Sequence, residues 1–376
     1  MKKQYMLLFL ATFFIGCAQQ FKYKEINSSI KSKIEVSNSE ILTIKNQYFA
    51  NAKLLTDYLP ANYDKTGKTD YTTFLQEGIN ANAAIIFPDF PVLIRPQGLS
   101  FKSNSKILFQ KNSILKVQPN DKEFYAALNF ENVENIKLYF ANLEGERYHH
   151  LNTKGEWGMG IYIVHSKNIY IYKPHISKFW GDGIYVGKVD GITSQNITVD
   201  GAFIDESRRN GISIVAGDQI KITNSVIANT YGTSPEYGID IEPNKPLDDL
   251  KDIVLENNIT YNNYKGGLLF ALDNLQGTEN EISVLVKNHN DYYSDKGVEF
   301  YIDRGYTQFK NPLKGSIVLN GIKLYQNKTP LINNDSKYST IKLQLSNIYS
   351  NNIKVDSNKL NNFVKKFETG NLESIK

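Results

Sequence analysis

The sequence predicts an all-β solenoid, a parallel β-helix, on three observations. Six segments repeat a glycine followed by an apolar–variable–apolar strand: Gly160-Ile161-Tyr162-Ile163, Gly183-Ile184-Tyr185-Val186, Gly211-Ile212-Ser213-Ile214, Gly238-Ile239-Asp240-Ile241, Gly267-Leu268-Leu269-Phe270 and Gly297-Val298-Glu299-Phe300. Their glycines are 23, 28, 27, 29 and 30 residues apart. A unit of that period cannot bury its own apolar face and must stack on its neighbours. Between these lies a second set of period-2 strands, Asn135–Leu138, Asn168–Ile171, Asn196–Val199, Gln219–Ile222 and Asp252–Leu255, each opened by an amide or carboxylate. Asparagine then recurs at 224, 229, 257, 258, 262 and 263. Asn tolerates the left-handed backbone of a tight corner, and its side chain can ladder with an Asn one coil away. No 3.6-residue period runs through the repeats, which excludes a helical solenoid.

The elements follow in order. Residues 1–17 read as a lipoprotein signal peptide: Lys2 and Lys3, an apolar run from Tyr5 to Ile15, then Gly16 and Cys17. Cys17 is the chain's single cysteine and the expected lipidation site, which places the protein in a bacterial cell envelope, tethered to a membrane with no disulfides. Residues 18–60 are expected to form a tether and lead-in segment. Residues 61–355 form the β-helix domain, opened by a short amphipathic helix through Tyr71, Phe74, Leu75 and Ile79, with Thr69-Asp70 as its cap. Such a helix covers the open end of the first coil. Residues 356–376 form a C-terminal cap or tail, with Leu360, Phe363, Val364 and Phe367 at helical spacing.

Composition bounds the partners. The chain has 376 residues, 41% hydrophobic and 22% charged, with a formal net charge of +4. That balance, without a dense basic run, gives no reason to expect nucleic acid. Twenty-four tyrosines and 20 phenylalanines supply rings that can stack in columns or form platforms for sugars.

The stretch Asp70 to Pro91, followed by repeats such as Trp180-Gly181-Asp182-Gly183-Ile184, resembles the pectate lyase and polygalacturonase superfamily over roughly residues 65–350. The resemblance implies a right-handed β-helix, a polysaccharide partner, and a monomer or a trimer of the tailspike kind. Of the blocks that polygalacturonase-type hydrolases carry, this chain has only Gly181-Asp182-Gly183. The Asn-Thr-Asp, Asp-Asp, Gly-His-Gly and Arg-Ile-Lys blocks are absent, so only Asp182 carries over by resemblance.

A solenoid turns sequence slots into spatial columns about 4.8 Å apart. The slot after the first apolar residue of each glycine strand holds Tyr162, Tyr185, Ser213, Asp240, Leu269 and Glu299, and alternation turns it to solvent. Around the second to fourth coils the columns bring together Trp157, Trp180, Asp182, Tyr185, Arg208, Arg209, Asp240 and Glu242. The segment from Glu144 to Glu156, with His149 and His150, breaks the repeat and can fold over the same face. Rings stack on pyranose faces and Arg pairs with a uronate or sulfate, so the patch suits an acidic polysaccharide. Asp182 and Asp240 lie two coils apart, roughly 9–10 Å, which favours inverting hydrolysis, with Asp182 as acid and Asp240 or Glu242 as base. No cofactor is required by that scheme. The alternatives are a polyuronate lyase or epimerase, with Arg208 or Arg209 on the uronate, Tyr185, His149 or His150 moving the proton, and Ca²⁺ on Asp240 and Glu242, or a non-catalytic glycan-binding or structural surface protein.

Overall fold

The structure, a computed structural model, describes residues 21–275, 281–302, 313–334, 339–369 and 372–375. The lipidation site expected at Cys17 lies outside the described residues.

Each coil lays down three strands, as in Trp157–Val164, Lys167–Tyr172 and His175–Ser177. The next coil repeats them as Ile184–Val189, Gln195–Asp200 and Phe203–Asp205. All three pairs are parallel and in register. The glycine strands form one sheet of nine successive parallel strands, from Leu99–Ser100 to Thr329–Asn333, and the other two strands of every coil form a second, larger sheet. Inside, apolar residues line up in columns: Ile161, Ile184, Ile212, Ile239, Leu268 and Val298 are register partners and buried.

Corners set the coil length. Residues at positive φ recur five apart: Asn196, Gly201 and Glu206 in one coil, Gln219, Asn224 and Asn229 in the next, Asp252, Asn257 and Asn262 in the third. Asn enters this region at less cost than other side chains, and its amide then bonds up the stack. Asn135, Asn168 and Asn196 link at 2.9 and 2.7 Å, and Asn229 and Asn262 link at 2.7 Å. The repeated glycine has a different reason. A Cβ on Gly183 would sit 2.5 Å from Ile204 Cγ2 and 2.7 Å from the Gly211 carbonyl, so only a bare backbone lets the glycine strand meet the third strand of its coil.

Both ends are closed. The helix Thr72–Ala81 buries Leu75 and Ile79 over the first coil, and Asp70 Oδ1 accepts the Thr72 N–H (2.9 Å). Phe74, expected on its apolar face, is instead exposed, its ring edge-on to Tyr71. At the other end the helix Ser357–Thr369 buries Leu360, Phe363 and Phe367, and the strand Glu373–Ile375 pairs antiparallel with Thr329–Asn333. Residues 21–54 run as a strap along the outside, against the direction of coil growth. Phe21 stacks on Tyr231 (3.9 Å), Ile26 and Ile30 pack on Val226, Ala228 and Ile259, and Glu40 pairs with Lys173 (2.8 Å). Lys53–Leu54 then joins the second sheet beside Ala84–Ile86.

One polar network is sealed inside the bore. Asp291 is fully buried and accepts from Thr260 Oγ1 (2.6 Å), Ser294 Oγ (2.7 Å) and the Asn327 amide, while Thr260 Oγ1 also meets His289 Nε2 (3.0 Å). Burial pushes the Asp291 carboxyl up to about 7 and the His289 imidazole down to about 3. A carboxyl whose folded pKa is raised binds more protons folded than unfolded across the interval between the two values. The Asp291 contribution to stability therefore falls as pH rises from about 4 to about 7, while the depressed His289 contributes in the opposite sense between about 3 and 6.5. The substitution Asp291→Asn keeps the shape and the bonds from Thr260 and Ser294, but Asn327 can accept from the new amide only by giving up its bond to the Ser294 carbonyl (2.8 Å). We predict that it removes the falling contribution, so that stability climbs with pH from about 4 to about 7 by roughly 2–4 kcal/mol more than in the wild type, measured by denaturant unfolding at both ends of that range. Equal slopes in the two proteins would contradict the assignment.

Candidate functional site

Asn210 organises the centre of the glycine sheet's outer face. It precedes Gly211 in the slot that holds Asp182 one coil earlier and Tyr237 one coil later. Its backbone N–H donates to Asp182 Oδ1 (3.0 Å), its Nδ2 donates to Asp240 Oδ2 (2.8 Å) and Ser213 Oγ (3.1 Å), and its Oδ1 accepts from Tyr237 N (3.1 Å). Arg209 lies over this layer. Its Nη1 reaches Asp182 Oδ2 (3.2 Å) and its Nη2 reaches Glu242 Oε2 (2.7 Å). One guanidinium thus bridges carboxylates carried by coils on either side of its own.

The expectation that the outward slot faces solvent needs correction here. Ser213, Asp240 and Glu299 are wholly buried, as is Asp182, because neighbouring loops and their own polar partners cover them. Arg209 and Glu242 form the exposed layer, with side chains 12% and 25% accessible. Neither Asp182 nor Asp240 reaches the cleft, and Arg209 fills the interval between Asp182 and Glu242. A water held between Asp182 and Asp240 has no place there.

Electrostatics separate the three carboxyls. Burial raises Asp182, although the Arg209 charge, the Ser213 hydroxyl and the Asn210 N–H oppose the shift. Asp240 is pushed far higher, first by burial and then by the adjacent Glu242. Its Oδ1 is buried, no N–H or O–H of the described residues reaches it, and Glu242 is within hydrogen-bonding reach. A proton on Asp240 shared with Glu242 satisfies both observations. One cation cannot neutralise three acids, so the most deeply buried one beside a second carboxylate remains protonated. Burial works against the Arg209 charge, but Asp182, Glu242 and Asp240 outweigh it and strengthen its hold on the proton.

The other residues expected in the patch divide. Trp180 is sandwiched between the His150 ring (4.0 Å) and the Arg208 guanidinium (3.7 Å). Trp180 Nε1 donates to Lys154 O (3.4 Å) and Arg208 Nη1 to Gly155 O (3.0 Å), while His150 Nδ1 is bound to Glu146 (3.0 Å). These three therefore clamp the loop that carries Glu156. Arg208 does not join Arg209, and His149 stays outside, exposed. Trp157 is 42% exposed at the start of its strand. Tyr185 lies beside Tyr162 (5.4 Å, nearly parallel rings), and Phe124 meets Tyr162 edge-on (5.4 Å), so aromatic rings continue the face toward the N-terminal coils.

Sequence reasoning missed several members. A cleft of about 510 Å³ is lined by Glu156, Arg209 and Glu242, by the apolar Pro235, Leu269 and Ala271, and by Tyr237, Tyr301, Lys265, Lys296 and Glu299. Glu299 is held by Tyr237 Oη, Lys296 Nζ (2.6 Å) and the Asn334 amide. Tyr237 was legible, because it occupies the pre-glycine slot of Asp182 and Asn210. Glu156 sits in an irregular loop and had no column to reveal it. A divalent cation does not suit this donor set: the Arg209 guanidinium already lies between Asp182 and Glu242, and among the described residues no three His, Cys, Asp or Glu converge as metal ligands. A larger hollow of about 660 Å³ lies under the strap, but Asp205 there is taken by Tyr23 and Asn229 and Lys173 by Glu40.

Residues 94–283, about half of the chain, match the family of right-handed β-helix regions. The chain belongs to that family. It is 29% identical over 237 residues to the uncharacterised protein YclG of Bacillus subtilis (strain 168), covering 59% of this chain and 40% of YclG. The matched part is thus less than half the length of that relative. Among solved structures, it superposes on a 1,3-α-1,4-β-D-galactose-4-sulfate-3,6-anhydro-D-galactose-2-sulfate 4-galactohydrolase with a TM-score of 0.59 and 13% identity, covering 81% of this chain and 89% of the hydrolase. It also superposes on the N-terminal fragment of bacteriophage Phi29 gene product 12 (TM-score 0.56, 13% identity, 83% of this chain and 59% of the other). At such identities these likenesses establish the right-handed β-helix alone.

Removing the bridging cation leaves buried carboxylates uncompensated. We predict that Arg209→Met lowers stability by about 3–5 kcal/mol at pH 8 and by less at pH 5, where protons replace the lost charge. Thermal melts at the two pH values measure this, and an equal loss at both would show that Arg209 acts by packing alone.

Proposed function

We propose that the protein is a polysaccharide-active enzyme that hydrolyses an acidic glycan in the cleft of Arg209 and Glu242. The observation that carries this reading is the split within one contact pair, a buried Asp240 carboxyl kept protonated against Glu242, which faces the cleft. A carboxyl kept protonated by burial is a proton source of the kind acid catalysis needs. Lys265 on the rim offers a contact for an anionic chain, Arg209 and Lys296 being already paired with acids of the protein, and the aromatic run Phe124, Tyr162 and Tyr185 offers sugar-stacking surface. The likeness to a hydrolase of a sulfated galactan supports the same class.

In this scheme the one proton that Asp240 shares with Glu242 passes through Glu242 to the leaving glycosidic oxygen, and solvent in the cleft returns a proton to the pair through Glu242 after the products leave. Glu156, held in the same cleft by the Trp180–Arg208 clamp, accepts a proton from the attacking water, whose oxygen bonds to the anomeric carbon as the glycosidic bond breaks. Attack from the face opposite the acid inverts the anomer. Asp182 acts by fixing Arg209. The pattern of residues 2–17 supports export and lipid anchoring through Cys17, tested by detergent phase partitioning of the wild type against Cys17→Ser.

The activity test is a panel of acidic and neutral polysaccharides, followed by reducing ends and by the ultraviolet absorbance of unsaturated products, with and without EDTA. New reducing ends without unsaturation are expected. Glu242→Gln, Glu156→Gln and Asp240→Asn should each lower kcat about 10²–10⁴-fold, although Asp240 never touches solvent. Full activity in Asp240→Asn contradicts the proton relay. Unsaturated products that vanish with EDTA contradict hydrolysis, and silence across the panel contradicts enzymatic activity.

A further inference from the structure

Away from the glycine sheet, the helix Asn38–Tyr48 of the strap lies over the strands Glu134–Tyr139 and Lys167–Tyr172 and leaves a cleft of about 490 Å³. We infer that this cleft is a second, non-catalytic sugar site that takes a neutral pyranose ring of a polysaccharide on Tyr48, Tyr139, Tyr170 and Tyr172. It rests on a glycan being the protein's partner, and not on hydrolysis.

Four tyrosines converge there. Tyr170 and Tyr172, two apart on one strand, point the same way with rings 14° from parallel and centroids 6.1 Å apart. Tyr48 and Tyr139 are 12° from parallel at 6.0 Å, and Tyr139 stands edge-on to Tyr170 (69°) and Tyr172 (68°). Tyr139 is the buried floor, backed by Phe49 and Phe140, and the tyrosine run stops one coil on, where the register partners of Tyr170 and Tyr172 are Thr198 and Asp200. A helix seated by packing alone would close onto aliphatic side chains. Here rings with polar tips border a space within the ordinary range of small-ligand sites.

The chemistry of the wall selects the ligand. Faces of Tyr rings accept the C–H face of a pyranose, and phenol groups bond its hydroxyls. Burial raises the phenol pKa of Tyr139, and that of Tyr170 to about 12, so both remain hydrogen-bond donors at neutral pH. At the rim Lys173 pairs with Glu40 (2.8 Å), which also accepts from Tyr172 Oη (2.8 Å), and the Lys137 ammonium sits over the Tyr48 ring (5.9 Å). Among the described residues that line the space the one charged side chain, Glu40, is held in this pair. Because Tyr139, Tyr170 and Tyr172 belong to the second sheet, a glycan held there leaves the Glu242 cleft open.

The test is affinity electrophoresis of the whole protein through gels containing dextran, β-1,4-galactan or polygalacturonate. We expect slowed migration in a neutral gel, persisting at high salt because stacking is not screened. Tyr170→Ala should weaken it at least about fivefold, Tyr170→Phe should keep most of it, and Glu242→Gln should leave it unchanged. Thermal melts of each variant confirm the fold. No retention in either neutral gel, or retention indifferent to Tyr170→Ala, overturns the site. Loss of polygalacturonate retention in Glu242→Gln alone reports on the catalytic cleft and leaves the tyrosine result to stand separately.

Discussion

The left-handed corner is the constraint from which the rest of the molecule follows. A coil closes only if the chain turns sharply, and in three successive coils here a trio of residues at positive φ, five apart, shapes that path. For most L-residues that conformation costs roughly 1–2 kcal/mol. Asn reduces the cost, and the amide ladder links each strained corner to the one above it. Corners fixed in this way keep every strand in register, and register stacks isoleucine on isoleucine in the bore and one site residue above another on the glycine sheet. A slip of one residue would turn the whole apolar column outward.

The site is an electrostatic consequence of that stacking. Columns bring Asp182, Asp240 and Glu242 together, but among the described residues a single guanidinium reaches them. The resulting shortage of positive charge leaves Asp240 protonated. A second node two coils on, Tyr237 and Lys296 on Glu299, is closed in the same manner. The glycine sheet thus carries a row of paired charges under a shallow cleft rather than a bare carboxylate surface.

The sequence told the fold and the column membership, and it told less about depth. Periodicity and the Gly and Asn punctuation were sufficient for the β-helix, two of the three strands of its coils and the buried isoleucines, because these depend on nearest-neighbour stacking. Asp182, Arg209, Asp240 and Glu242 do meet. That Asp182 and Asp240 are sealed while Glu242 is exposed depends on loops of irregular length, and period-2 alternation carries no information about what lies over a strand. Arg208 was grouped with Arg209 by adjacency, yet a strand edge sends neighbours in opposite directions, one into the charge cluster and one onto Trp180. Residues 21–54 showed no period because the strap touches the coils by single side chains at intervals.

The strap has a consequence for the order in which the molecule is made. Most contacts of a solenoid join segments about 30 residues apart, so each coil can settle on the last as the chain emerges. Strap contacts are different: Lys24 meets Asn229, Glu25 meets Tyr261 and Lys22 meets Asn262, separations of 205 to 240 residues. The first described residues to leave the ribosome are therefore among the last to find their places. They dock only on coils already complete, and a chain arrested before residue 226 presents an apolar strip, Ile26 and Ile30, with no surface to receive it.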